Sequence, residues 1–151
     1  MSNTPLADSL KAAMKDAMRA RDKDRLGTIR QIQSELKRVE VDERVEVDEK
    51  RALVILDKML KQRRDSQSQY AEAGRQELAD KEAAEIAIIQ EFLPAQLTDA
   101  ELDALIDDAI ATSGATGMQA MGPVMAGLKP KLQGRADMGA VSQRVKTKLT
   151  A

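Results

Sequence analysis

Apolar residues recur at intervals of three and four along most of the chain, a spacing that predicts amphipathic helices. Thr4 followed by Pro5 is typical of a helix start, and the first apolar stripe then covers residues 6–17. A second stripe covers residues 26–39, after a charged stretch that is expected to bend the chain. Asp48 is positioned to cap a long third helix. The first half of the chain therefore begins with three predicted helices.

The segment after the second helix, residues 41–47, alternates valine with charged residues. That alternation is compatible with a strand, but a single strand has no partner here, so a loop is expected. The third helix loses its apolar seam after Leu60 and continues with polar residues. Gly74 suits the left-handed position after that helix, and a fourth helix is expected over residues 75–91, ending before Pro94.

Helical spacing returns after Pro94. Thr98 and Glu101 form a predicted capping box that opens the next helix. A further stripe covers residues 121–132, where Pro130 is expected to kink or end the helix. Asp137 is the expected cap of the last helix. This part of the chain is therefore predicted to form three short helices.

Composition favours the same fold class. Tyr70 and Phe92 are the only aromatic residues, and the content of Ala, Leu, Met, Glu, Lys, Gln and Arg is high, which favours helix over sheet. Residues 1–93 carry 37 charged side chains but residues 94–151 only 12, and six of the eight glycines follow Pro94. We predict an all-α protein, with an N-terminal bundle or hairpin of long helices over 1–93 and a three-helix domain over 94–151.

The residue types that are absent narrow the chemistry. The chain has no Cys and no His, which excludes thiolate zinc sites, cysteine nucleophiles and Ser-His-Asp relays. No phosphate-binding loop of the GxxxxGK[ST] type is present, so we assign no catalytic residue, metal ion or cofactor. Residues 1–12 do not resemble a signal peptide, and no apolar run approaches the roughly 20 residues that a bilayer requires. We expect a cytoplasmic protein with no membrane partner.

Several short segments carry a resemblance to a known family. In order along the chain they are EI at 85–86, EFLPAQL at 91–97, MGPVM at 121–125 and KLQGRAD at 131–137. Together they resemble the GatB/YqeY family over nearly the whole chain. The upstream segments RDS at 64–66 and AGRQEL at 73–78 are similar to stand-alone YqeY-like proteins.

The resemblance implies a two-domain helical protein whose C-terminal domain is similar to the tail of the GatB and GatE subunits of tRNA-dependent amidotransferases. In those enzymes the tail helps to hold tRNA, while amide transfer takes place elsewhere. The resemblance also implies the family label of carbon–nitrogen ligase with glutamine as amido donor, although we expect no catalysis by this chain alone. The implied partners are tRNA and an amidotransferase or another translation-related protein.

Charge in the second domain is polarised. Five acids and no base lie within residues 98–111, whereas residues 129–151 contain six bases and one acid. Such a basic set can neutralise RNA phosphates, or it can simply complement the dipole of the last helix and remain solvated. The candidate RNA-binding residues are Lys129, Lys131, Arg135, Arg144, Lys146 and Lys148.

Two positions in this domain have alternative interpretations. Arg135 either binds phosphate or pairs locally with Asp137. Met121 and Gly122 either present free backbone N–H groups to an anion at a helix start, or mark a site of close helix packing.

In the first domain, Arg63, Arg64 and Arg75 flank the polar part of the third helix and are candidate partner-binding residues. The alternative is that they belong to a solvated hairpin tip. Three functions therefore remain open. The chain could be an RNA-binding accessory protein, a helical module that docks a protein partner without RNA, or a ligase subunit, and the last has the least support.

Overall fold

A computed structural model describes residues 4–151. Within that range the chain forms seven α-helices and one 3-10 helix and contains no strand, which confirms the all-α prediction. The chain divides into two compact units, one up to Pro94 and one from Ala95 onward, and each has its own hydrophobic core. None of the helices between Pro5 and Thr150 is both long and apolar enough to cross a membrane.

Four helices build the N-terminal unit: α1 (Pro5–Ala20), α2 (Lys23–Glu43), α3 (Glu49–Glu72) and α4 (Gln76–Gln90). The side chains of Thr4, Asp22 and Asp48 accept the backbone N–H three residues further on, so each caps the helix that follows. The segment between α2 and α3 is a loop, as predicted, although α2 ends at Glu43, slightly later than expected.

The core of this unit consists of aliphatic side chains from all four helices. Ile29 and Ile32 of α2, Leu56 of α3 and Ile89 of α4 are fully or almost fully buried. Leu60 is the last buried residue of α3, yet the helix continues for three more turns. The polar end of α3 therefore lies beyond the core, and it packs along α4.

The C-terminal unit contains α5 (Asp99–Ser113), a 3-10 helix (Gly117–Ala120), α6 (Met121–Leu132) and α7 (Met138–Thr150). The predicted capping box of Thr98 and Glu101 is present, with both reciprocal hydrogen bonds. Pro130 lies inside α6, and the helix ends only two residues later. Asp137 caps α7 by accepting the backbone N–H of Gly139 at 3.3 Å.

The core of the C-terminal unit is smaller and lies between α5, α6 and α7. Ile106, Leu128, Val141 and Val145 have no exposed surface at all. The segment before α5 is tied to the turn between α6 and α7, because Leu97 donates its backbone N–H to the carbonyl of Arg135 at 3.0 Å. These contacts position the basic residues of α6 and α7 on a common scaffold.

Candidate nucleic-acid interface

In the C-terminal unit, basic residues of α7 pair with acidic residues of α5. Arg144 of α7 donates to Asp99 at 2.8 Å and to Asp103 at 3.1 Å, and both carboxylates lie on α5. Lys148, one turn further along α7, donates to Asp107 at 2.9 Å, and this hydrogen bond raises the pKa of the lysine. Two of the six candidate RNA-binding cations are therefore engaged in ion pairs between helices.

Arg135 forms no ion pair with Asp137 among the described residues, and its binding to phosphate stays a prediction. Its Nε donates to the backbone carbonyl of Ala95 at 3.3 Å. The prediction of a local pair with Asp137 is therefore wrong. The Asp137 carboxylate accepts the backbone N–H of Gly139 and caps α7. Arg135 therefore helps to hold the segment that precedes α5, and its remaining guanidinium donors stay available.

Three of the candidate cations are exposed and form no ion pair with any residue of 4–151. These are Lys129 and Lys131 at the end of α6, and Lys146 on α7. The described C-terminal unit therefore has fewer unpaired basic side chains than the sequence suggests.

The outer face of α6 carries small side chains along its length, and its two lysines lie in the last turn. Gly122, Ala126, Gly127 and Pro130 are all exposed. A Cβ added to either glycine would meet nothing within 4 Å, so close helix packing does not explain Gly122, and that interpretation is wrong. At about 100° per residue, Lys129 and Lys131 lie on either side of this face.

The start of α6 does not present the free N–H groups that the sequence suggested at Met121. The 3-10 helix runs directly into α6, and the Met121 N–H donates to the carbonyl of Met118. An anion site at this helix start is therefore not formed by Met121.

Two of the three partner-binding candidates of the N-terminal unit, Arg63 and Arg75, also have internal contacts. Arg63 donates from Nε to Glu85 at 3.1 Å and from a terminal nitrogen to Gln31, so it joins α3 to both α4 and α2. The Arg63 and Glu85 side chains are only 16% and 17% exposed. Sequence reasoning missed Gln31 and Glu85, because they are 32 and 22 residues distant from Arg63.

The other two arginines differ from Arg63. Arg75, the residue before α4, pairs at 2.9 Å with Glu77 in the first turn of that helix, and this hydrogen bond lowers the pKa of the Glu77 carboxyl. Arg64 is half-buried and forms no ion pair within the described chain. Only Arg64 therefore remains unengaged among the three.

The described residues contain no group of three or more carboxylates arranged to hold a metal ion. Every buried side-chain nitrogen and oxygen atom between residues 4 and 151 has a hydrogen-bond partner. A shallow depression between α2, α3 and α4 is lined by Gln31, Arg63 and Glu85 among other residues.

Comparison with known proteins gives the family. The family model for the YqeY-like protein matches residues 7–149. The protein "Altered inheritance of mitochondria protein 41, mitochondrial" of Vanderwaltozyma polyspora is 39% identical over 85 residues, which are 56% of this chain and 46% of that protein. Its namesake in Pyrenophora tritici-repentis is 28% identical over 140 residues, which are 90% of this chain and 76% of that protein. This chain spans about half the length of the Vanderwaltozyma protein. Because the family model covers nearly all of the sequence, the chain belongs to the YqeY-like protein family.

Proposed function

We propose that this protein is a non-catalytic accessory protein that binds structured RNA, with tRNA as the expected ligand. The observation that carries the proposal is the outer face of α6. Lys129 and Lys131, in its last turn, have no acidic partner among residues 4–151, and a Cβ added to either of its glycines would meet nothing within 4 Å in this part of the chain. Gly127 lies in the interior of α6, where a glycine costs about 1 kcal/mol relative to alanine. The bare backbone at Gly127, within about one turn of Lys129 and Lys131, suits the close approach of a phosphate backbone.

The contact with RNA is expected to be electrostatic and guided by shape. Both aromatic side chains of the protein, Tyr70 and Phe92, lie in the N-terminal unit, so the C-terminal unit offers no platform for base stacking. Lys146 and the free donors of Arg135 extend the proposed footprint. Arg144 and Lys148 are left out, because an RNA phosphate would have to compete with their carboxylate partners.

Association with a tRNA-dependent amidotransferase, or with another translation-related protein, belongs to the same proposal. The cytoplasmic location also stays a proposal, since the fungal relatives are named as mitochondrial proteins. The implied ligase label would then reflect kinship with an enzyme subunit. The chemistry itself would be done by another chain.

The experiment is fluorescence anisotropy of the full chain against labelled total tRNA and a single-stranded DNA of matched length, over a series of salt concentrations. The Lys129→Glu/Lys131→Glu variant is expected to weaken tRNA binding. The slope of log affinity against log salt should fall by roughly 0.7 to 0.9 for each phosphate that the variant no longer neutralises. The matched control is Lys11→Glu/Lys15→Glu, which reverses two exposed lysines on α1.

The proposal predicts that tRNA binds more tightly than the DNA at every salt concentration and that only the α6 variant loses affinity. Equal binding of the two nucleic acids would reduce the interaction to non-specific charge. An unchanged salt slope in the α6 variant would remove both lysines from the footprint and refute the proposed site.

A further inference from the structure

The solvent-facing side of α2 carries a regular stripe that packing inside the chain does not explain. We call it the α2 outer face. Its members are spaced by four and three residues alternately, and all of them are exposed: Lys23, Gly27, Arg30, Ser34, Lys37 and Val41. The buried residues of α2 lie on the opposite side of the helix. This spacing is the heptad spacing with which one helix packs along another.

Gly27 is the least expected member of the stripe. It lies in the second turn of a 21-residue helix, where glycine lowers helix stability by about 1 kcal/mol relative to alanine. A Cβ at this position would meet nothing within 4 Å. Neither the backbone conformation nor internal packing therefore requires a glycine here. A helix surface without a side chain at this position lets another molecule approach the backbone closely.

The cations of the stripe are unpaired. Lys23, Arg30 and Lys37 form no ion pair with any residue between 4 and 151. Arg38, which lies beside the stripe, shows the contrast, because it donates to both Glu35 and Asp42 of its own helix. The α2 outer face is thus a line of free positive charge along a helix that is otherwise rich in acids.

A groove runs beside this face. It has a volume of about 480 Å³ and separates α2 from α3. Gly27, Arg30 and Ser34 line it from α2, and Met59 and Gln62 line it from α3. The small side chains of Gly27 and Ser34 therefore open directly onto a depression into which a larger side chain fits.

We propose that the α2 outer face docks an acidic amphipathic helix of a partner protein. Gly27 and Ser34 are seven residues apart and accept apolar side chains of the incoming helix as knobs. Lys23, Arg30 and Lys37 are also seven apart, about 10.5 Å along the helix, and pair with glutamates of the same spacing. This surface is independent of the proposed RNA site on α6.

The pattern favours a helix over RNA. Phosphates would require cations but no heptad spacing, and they would leave the apolar end of the stripe, where Val41 is 61% exposed, without a contact. A partner helix uses the charged, small and apolar positions together.

The test uses the full chain and a fluorescein-labelled synthetic 21-residue helical peptide that alternates glutamate and leucine at heptad positions. Arg30→Glu/Lys37→Glu and Gly27→Leu are each expected to weaken its binding at least tenfold. The first removes the charge pairing, and the second fills the space for the knob. Lys11→Glu/Lys15→Glu and the α6 variant Lys129→Glu/Lys131→Glu are expected to bind the peptide as the unchanged protein does.

Melting followed by circular dichroism separates folding from docking. Gly27→Leu and a further Gly27→Ala variant are expected to melt no lower than the parent, since both residues favour helix more than glycine does. A peptide with lysine in place of glutamate is expected not to bind.

Three results would each overturn the proposal. The glutamate peptide does not bind, or Gly27→Leu binds it with unchanged affinity, or Arg30→Glu/Lys37→Glu loses tRNA affinity as strongly as the α6 variant. The last result would make the α2 outer face an RNA surface. Failure of the α6 variant to affect tRNA would refute only the proposed function and leave the docking result intact.

Discussion

Replacing Arg144 with alanine tests whether the charge polarity of the C-terminal unit serves stability. The guanidinium bridges Asp99 and Asp103, and its side chain is 35% exposed. Asp99 is 86% exposed and Asp103 is 42% exposed, so the pair with Asp103 is the better shielded of the two. We expect Arg144→Ala to destabilise the C-terminal unit.

The size of the expected loss in the free energy of unfolding follows from how exposed the two carboxylate partners are. Exposed ion pairs contribute about 0.2 to 1 kcal/mol each. With Asp99 near the lower end of that range and Asp103 in its middle, the loss amounts to about 1 kcal/mol. A double-mutant cycle with Asp103→Ala should give a coupling energy of about 0.5 kcal/mol.

Amide hydrogen exchange of the full chain is the suitable assay, because it reports the C-terminal unit separately from the N-terminal unit. Val141 and Val145 are fully buried, and their N–H groups are bonded to carbonyls four residues earlier in α7 or at its cap. Their exchange should become about fivefold faster in Arg144→Ala, which corresponds to about 1 kcal/mol. Unchanged exchange with a coupling energy of zero would refute the stabilising role. If Arg144→Ala lowered the slope of log tRNA affinity against log salt concentration, Arg144 would be a contact to RNA.

Two further outcomes follow from the N-terminal unit. Arg44 follows the last residue of α2 with a left-handed φ of 54°, a conformation that is strained for a residue with a Cβ. Arg44→Gly is therefore expected to raise the free energy of unfolding by about 0.5 kcal/mol in a denaturant titration. A lower free energy of unfolding would contradict this explanation. The hydrogen bond from Arg38 lowers the pKa of Glu35 below its ordinary value of 4.5, so the ionised carboxylate stabilises the fold above that pH, and the gain is lost as the pH falls. Glu35→Gln should therefore melt lower than the parent at pH 7 but not at pH 3, and a pH-independent difference would refute this.

The basic character of the candidate site could be predicted from the sequence, but which basic residues are unpaired could not. The basic content of residues 129–151 is visible in the sequence, but its pairing with α5 is not. Arg144 and Asp103 are 41 residues apart, and only the packing of α7 against the same core as α5 brings them together. The same reason hides the contact from Arg135 to the Ala95 carbonyl.

Local signals in the amino-acid sequence are sufficient to predict the α-helices. Capping residues such as Thr98 and Asp137, the left-handed Gly74 and the three-and-four spacing of aliphatic residues are local signals, and each acts within a turn or two of its own position. Which of the charged side chains form ion pairs, in contrast, depends on the tertiary structure. Ion pairing depends on distances between helices, so a lysine or arginine is paired or unpaired among residues 4–151 according to which side chains the neighbouring helix places beside it.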